Sequence, residues 1–365
     1  MYKKAILINE KGKEFTGWTT DELKPVTGEL IFNTAMTGFV EILSDPSYIN
    51  QIITFTSSHV GNYGLSKEDF ESNEPKIEGA IGCSFTQKHS SWRAKNSITN
   101  WLKDNNVPYA SGFDVREITT HLRNNGSSMF ALGSESEKKE LMTMIKKAKN
   151  IIGDNSAISA GRGGDKFTNS SGKIGILDLG AKKSIENVVR NNGYEVIFIK
   201  PNISYEKIIS LNLDGLIISN GPGDPRSLNE IVKTIEELIG NIPIFGICLG
   251  HQLLGLACGL EIEKLPFGHH GSNHPVKVVD LKNAIITSQN HGFAIKKFNK
   301  EIKHKRFGEI AEYATNLNDQ TNAGLSIWDS MAYSVQFHPE AGPGTNDGLE
   351  MFNPFFKMIK EKNAT

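Results

Sequence analysis

The sequence predicts an α/β protein with a C-terminal doubly wound, mostly parallel sheet and an N-terminal mixed α/β domain. Three observations carry this reading. From residue 173 onward, short apolar runs alternate with amphipathic stretches of helical spacing. That rhythm builds a parallel sheet with helices on both faces. Before about residue 150 it is absent, and β-branched strand candidates are separated by turns instead. Between the two, residues 153–172 hold five glycines, several serines and few large apolar side chains, a composition suited to a connection between domains. The expected organisation is therefore a first domain over 1–150, a linker over 151–172 and a second domain over 173–365.

At 365 residues the chain is long enough for two such domains. A hydrophobic content of 38% and a charged content of 22% are ordinary for a globular protein. The formal net charge of -1 provides no strong field for nucleic acid or an anionic membrane. No stretch approaches the ~20 apolar residues of a membrane span. The apolar run after Met1-Tyr-Lys-Lys is too short for a signal peptide and reads as a first strand. The three cysteines, Cys83, Cys248 and Cys258, form neither a disulfide framework nor a CxxC zinc pattern. The cytoplasm is the expected compartment.

In chain order, residues 4–9, 29–35, 51–56 and 77–85 read as strands. Gly38 and Asp45-Pro46 mark turns between the second and third of these. Residues 58–64 read as a loop. Ile98, Trp101 and Leu102 give 97–105 helical spacing, with Asn96 or Ser97 as its cap. Residues 118–123 read as a helix closed by Asn125-Gly126, and the lysine-rich 135–149 as an amphipathic surface helix. Strands then follow at 173–180, 194–200, 214–219 and 242–247. They alternate with helices at 182–192, 205–211, 227–239 and 249–258. The stretch 261–335 is β-rich, with strands at 275–279, 284–288, 313–317 and 323–328, and 350–361 is a closing helix. In sheets of this kind ligands bind beyond the carboxyl ends of the strands, where the loops after Ser219 and Ile247 lie.

One of those loops carries the chemistry. In Gly246-Ile-Cys248-Leu-Gly250 a cysteine sits between glycines where a buried strand meets a helix, the thiol form of a nucleophile elbow. The helix N-terminus favours the thiolate. Free cysteine is more often a small buried hydrophobe, and Cys83 and Cys258, which lack this setting, are expected to be that. The candidate base is His338 in Tyr333-Ser-Val-Gln-Phe-His-Pro-Glu340. Glu340, two residues on, projects to the same side in extended chain. There it can fix the imidazole tautomer and stabilise its cation. In Ser219-Asn-Gly221-Pro-Gly223-Asp-Pro225 two glycines let backbone amides approach a ligand. With the amide of Leu249 they can form an oxyanion hole. No Gly-Lys-Ser/Thr follows, so this is not a phosphate loop. His269, His270 and His274 have no standard zinc spacing and read as loop and interface residues. His291 reads as structural. Taken by themselves, these residues point to attack on an amide or ester.

The motifs Asn220-Gly-Pro-Gly-Asp-Pro, Gly246-Ile-Cys-Leu-Gly-His-Gln and Phe337-His-Pro-Glu, in this order, resemble class I (triad) glutamine amidotransferases. Thr27-Gly-Glu-Leu-Ile-Phe-Asn-Thr-Ala-Met-Thr-Gly, Asp45-Pro-Ser-Tyr and His59-Val-Gly-Asn-Tyr-Gly resemble the N-terminal domain of carbamoyl phosphate synthetase small chains. Phe267-Gly-His-His-Gly-Ser-Asn-His-Pro-Val and Ser288-Gln-Asn-His-Gly-Phe293 fit the same family. The resemblance implies a Cys248, His338, Glu340 triad and glutamine held between two domains. Carried over position by position, Ser47, Gly221, Gly223, Leu249, Gln252, Asn290, Gly292 and Phe293 contact that glutamine. It implies no metal and no cofactor in this chain. It also implies a large synthetase chain as partner, which binds ATP and magnesium and makes carbamoyl phosphate from bicarbonate and ammonia for pyrimidine and arginine synthesis. The alternatives are an amidotransferase serving another synthase, a cysteine hydrolase acting alone, and a non-catalytic regulatory subunit. Departures from the family pattern occur near Asp114-Val-Arg116, Ser127-Ser-Met-Phe130 and Gly180-Ala-Lys-Lys-Ser184, and these are expected to lie away from the triad.

Overall fold

Seven strands within the first 152 residues pair into one mixed sheet. They are β1 (Lys3–Asn9), β2 (Glu14–Thr19), β3 (Val26–Asn33), β4 (Gln51–Phe55), β5 (Gly79–Ile81), β6 (Tyr109–Ala110) and β7 (Ser128–Ser134), in the order β2-β1-β7-β3-β4-β5-β6. The computed structural model describes residues 2–162, 172–298 and 301–364. β3 to β6 run parallel, whereas β1, β2 and β7 are antiparallel additions. Helix α1 (Phe39–Ser44) lies between the two turn signals at Gly38 and Asp45, which turn out to be its caps. In α2 (Ile98–Asp104) the Ser97 hydroxyl accepts the Asn100 amide at 3.1 Å. In α3 (Val115–Asn125) the Asp114 carboxylate accepts the Glu117 amide at 2.9 Å, which starts the helix earlier than its apolar spacing predicts. α4 (Lys138–Lys147) completes this unit.

The second unit is built on β8 (Lys173–Leu177), β9 (Glu195–Ile199), β10 (Gly215–Ile218) and β11 (Ile244–Ile247), followed by β12 (Ile262–Val278), β13 (Ile285–Ile295), β14 (Glu301–His304), β15 (Gly308–Asn316), β16 (Asn322–Ile327) and β17 (Ala332–Val335). The order is β13-β12-β15-β16-β17-β11-β10-β8-β9, with β14 on β15. β9, β8, β10, β11 and β17 are parallel neighbours and form the doubly wound core. β16, β15, β12 and β14 extend it through antiparallel pairs. Strand alternation sorts the core onto two faces. Leu216 and Ile218 pack on one face with α7 (Tyr205–Ser210), α8 (Asn229–Leu238) and α9 (Leu249–Ala257). Ile217, Phe245 and Ile247 pack on the other with α6 (Lys183–Asn191) and α10 (Asn353–Ala364). Chain order reverses between β9 and β10, on either side of β8, so the switch point lies where the loops after β8 and β10 leave the sheet.

The chain divides into Met1–Ile152 plus Pro266–Gly271, and Gly153–Leu265 plus Ser272–Thr365. Two points differ from the organisation read in the sequence. Pro266–Gly271 belongs to the first unit, because Ser127 donates to the Pro266 carbonyl at 2.7 Å, Thr34 donates to that of His270 at 3.1 Å, and the Phe32 and Phe267 rings lie 5.8 Å apart. From Gly153 on, the described part of the expected linker belongs to the second unit and is ordered there, with a short helix α5 (Ala157–Ala160) and backbone bonds to Asp224. Residues 163–171 of that linker lie outside the described residues. No described helix is long and apolar enough to cross a membrane.

Candidate active site

The elbow is a consequence of close packing. β11 ends at Ile247, α9 begins at Leu249, and Cys248 between them has φ 54°. A side chain rarely adopts that backbone, and it persists only where the surroundings enforce it. Here they do. A Cβ on Gly246 would lie 2.7 Å from the Gly250 carbonyl, and one on Gly250 would overlap the Ile218 carbonyl of β10. The Cys248 amide bonds to Val335 of β17 at 2.9 Å, and its thiol faces the Asn290 carbonyl at 3.5 Å and the Gln336 amide at 3.7 Å. Leu249, as the first helical residue, has an amide with no partner inside the helix.

His338 reaches this sulfur from the end of β17. Its backbone N–H donates to Ser288 at 2.8 Å, and the chain turns at once, with Ala341 donating back to the His338 carbonyl at 3.2 Å. The turn, rather than extended alternation, brings Glu340 Oε1 to 2.7 Å from His338 Nδ1. Nδ1 thus carries the proton. Nε2 is buried with no hydrogen-bond partner among the described residues, and the Cys248 thiol interacts with the ring. Burial pushes the imidazole toward its neutral form, but the Glu340 carboxylate and the thiol more than offset this, so the group is held well above the ordinary histidine range. Burial likewise opposes the Glu340 charge, and the Lys182 ammonium and then His338 hold that carboxyl below the usual carboxylate range.

Lys182 was not read from the sequence. It is 1% exposed and donates to Glu340 Oε1 at 2.9 Å and to the Ala341 carbonyl. The expectation that Gly180-Ala-Lys-Lys-Ser184 lies away from the triad is therefore corrected. Lysine at a helix start normally reads as solvated, and only the tertiary fold shows that this one is not.

The loop after β10 joins the same site. Ser219 Oγ accepts the Leu179 amide at 3.0 Å, and Asn220 Oδ1 accepts that of Lys182 at 3.1 Å. A Cβ on Gly221 would overlap the Leu179 carbonyl and meet Leu249 Cδ2 at 3.0 Å. Gly223 has φ 91°, which favours glycine. Gln252, one turn beyond Cys248, donates its amide to Phe293 O at 2.7 Å and to Gln336 Oε1 at 3.1 Å, so its NH2 group is engaged by protein. Gly292 faces Lys264 Nζ, and the Phe293 ring centroid lies 5.2 Å from the Arg226 guanidinium and 4.8 Å from Lys264 Nζ.

Gly221, Gly223, Leu249, Gln252, Asn290, Gly292 and Phe293 share the second unit with Cys248, His338 and Glu340. Ser47 belongs to the first, in the turn Pro46–Tyr48, where its amide donates to Asp45 Oδ1 at 2.9 Å. His291 is tied at both nitrogens, to Phe293 O and Gln289 Oε1, as a structural residue is. His269, His270 and His274 lie within β12 rather than in a loop. Among the described residues no group of three or more His, Cys, Asp or Glu is placed to hold a metal ion. Cys258 is buried, and burial pushes its thiol up to about 12. Cys83, expected to be buried, is exposed. β5 stops at Ile81, and Cys83 lies beyond the sheet, with its thiol 3.8 Å from the Phe113 carbonyl.

Residues 175–358 match the family described as glutamine amidotransferase class-I, and residues 7–132 match the carbamoyl-phosphate synthase small chain, CPSase domain. A carbamoyl phosphate synthase small chain of Bacillus caldolyticus is 38% identical over 99% of this chain and 98% of its own length. The chain belongs to the carbamoyl phosphate synthase small chain family. The pyrimidine-specific small chain of Bacillus subtilis is also 38% identical, over 98% of this chain and 96% of that one. The Akkermansia muciniphila small chain is 37% identical, over 98% and 97%. Both halves of the fold thus belong to the small-chain family, with the elbow and the His338–Glu340 pair inside its glutamine amidotransferase domain.

Proposed function

We propose that this chain hydrolyses glutamine to glutamate and ammonia and delivers the ammonia to a large synthetase chain. That partner makes carbamoyl phosphate from bicarbonate and ATP for pyrimidine and arginine biosynthesis, and ATP and magnesium are assigned to it. The observation that carries the reading is the His338 Nδ1–Glu340 Oε1 bond of 2.7 Å, which leaves Nε2 for a reacting proton beside the elbow thiol.

The Cys248 sulfur attacks the side-chain amide carbon, with the proton held on His338. The Leu249 amide and the 221–223 loop stabilise the oxyanion. His338 protonates the departing ammonia, which leaves a glutamyl thioester. Water, deprotonated by His338, then releases glutamate and restores the thiol. Glu340 orients the imidazole throughout. Ser47, Gln252, Asn290, Gly292 and Phe293 are assigned to glutamine itself. Glutamate is rejected because groups matched to an amide leave a carboxylate partly unpaired.

Acid quenching after mixing with glutamine, followed by peptide mass spectrometry, tests this. The expected product is a glutamyl adduct on the Cys248 peptide, which disappears in Cys248→Ser. Glutamate formation with no adduct, or with one elsewhere, contradicts the reading.

A further inference from the structure

The peptide unit joining Ala181 to Lys182 is held from both sides. Its N–H donates to Asn220 Oδ1 at 3.1 Å, and its carbonyl accepts Arg162 Nη2 at 2.7 Å. Arg162 comes from the stretch expected to be a loose linker, and several contacts lock it in place. Its own amide donates to Asp178 Oδ2 at 2.7 Å, its Nη1 lies 3.2 Å from Glu186, and its guanidinium covers the Phe198 ring at 5.2 Å. Asp178 is buried, and its other oxygen accepts the Gly180 and Ala181 amides at 3.2 and 2.8 Å. The next residue after the clamped peptide bond is the one whose ammonium meets Glu340.

The same stretch holds the loop on the other side of the switch point. The Asp154 carbonyl accepts the Asp224 amide and Ser227 Oγ, each at 2.8 Å, and the Gly153 amide donates to Asp224 Oδ2 at 3.0 Å. Residues 153–162 therefore strap both the loop that carries Lys182 and the loop that carries Gly221 and Gly223.

We propose that Arg162 is a positioning residue of the site, which acts through the Ala181–Lys182 peptide to set the Lys182 ammonium on the Glu340–His338 pair. The arginine touches neither the substrate nor the triad. It fixes the backbone from which the lysine reaches in, a setting in which displacements of about an ångström alter rates strongly. The surface ion pair to Glu186 contributes little, so the working contact is the bond to the Ala181 carbonyl.

The inference rests on the glutaminase reading, so the test has two arms. Arg162→Ala and Arg162→Lys are made in the full chain. Glutamine hydrolysis is measured as kcat and KM, and the rate of iodoacetamide labelling at Cys248 is measured by peptide mass spectrometry. For Arg162→Ala we expect kcat to fall about tenfold while KM changes little and labelling slows severalfold. Arg162→Lys, which can still reach the Ala181 carbonyl, should recover most of both. If Arg162→Ala fails to fold by circular dichroism, Arg162→Met, which keeps the apolar stem but has no donor, carries the test with the same expectations. Wild-type protein that labels at Cys248 yet does not hydrolyse glutamine defeats the glutaminase reading, and the labelling ratio then decides the role of Arg162. An unchanged kcat and labelling rate in Arg162→Ala, or a change confined to KM, overturns the proposal.

Discussion

Lys182 and Glu340 form an ion pair of 2.9 Å in which neither side chain is more than 1% exposed, and the same Glu340 oxygen accepts from His338 at 2.7 Å. The carboxylate thus serves two cations at once, and removal of one cation leaves a buried charge poorly compensated. Loss of one partner from a buried pair costs about 3–5 kcal/mol. Lys182→Met should destabilise the chain by that amount in urea unfolding. The double variant Lys182→Met, Glu340→Gln should lose clearly less than the sum of the two singles. Additive losses would show that the two residues are not coupled.

The elbow depends on absent side chains. Gly250→Ala places a methyl group on the backbone carbonyl of Ile218, which cannot rotate away. Overpacking of this kind costs about 1–3 kcal/mol or more, and the displaced helix carries the Leu249 amide with it. We expect a lower thermal midpoint and loss of glutamine hydrolysis together. A variant of wild-type stability and rate would contradict the packing account.

The pH dependence of stability follows from the same pair. Glu340 lies below its ordinary value of 4.5 in the folded chain, so its contribution is complete above pH 4.5 and is lost as the pH falls. His338 lies above its ordinary value of 6.5, so its contribution is complete below pH 6.5 and is lost as the pH rises. Thermal midpoints measured from about pH 2 to about pH 11 should show both declines. Glu340→Gln should remove the acid-side contribution and flatten the alkaline one. Parallel curves for the two proteins would refute this linkage.

The thiols differ in access. Cys83 is exposed, whereas Cys258 is buried with its thiol raised. Ellman's reagent should modify Cys83 at once in native protein and Cys258 only after unfolding, and in a Cys248→Ser background the added Cys83→Ser should lack the rapid phase. Rapid reaction at Cys258 would place it wrongly in the core.

Local pattern was enough to find the parallel core, because each strand there is a short apolar run bounded by glycine or a cap. The same holds for the elbow, where glycines, cysteine and a following apolar helix are adjacent in sequence. What escaped was non-local. β2 and β7 have mixed composition and exist through pairing with β1, for β7 across more than a hundred residues. The helix Phe39–Ser44 is too short for a periodic signal, so only its capping turns were visible. Lys182 and Arg162 look like ordinary surface cations, and their roles arise from carbonyls and carboxylates supplied by distant segments. Cys83 misled because Ile-Gly-Cys-Ser-Phe resembles a strand that in fact ends at Ile81.

The most direct measurement of the central claim is carbamoyl phosphate formation by the complex of Cys248→Ser with its large chain. Bicarbonate and ATP are supplied, with either glutamine or ammonium as nitrogen source. The account predicts that synthesis from glutamine is abolished while synthesis from ammonium stays at the wild-type rate. Full synthesis from glutamine by this variant would contradict it.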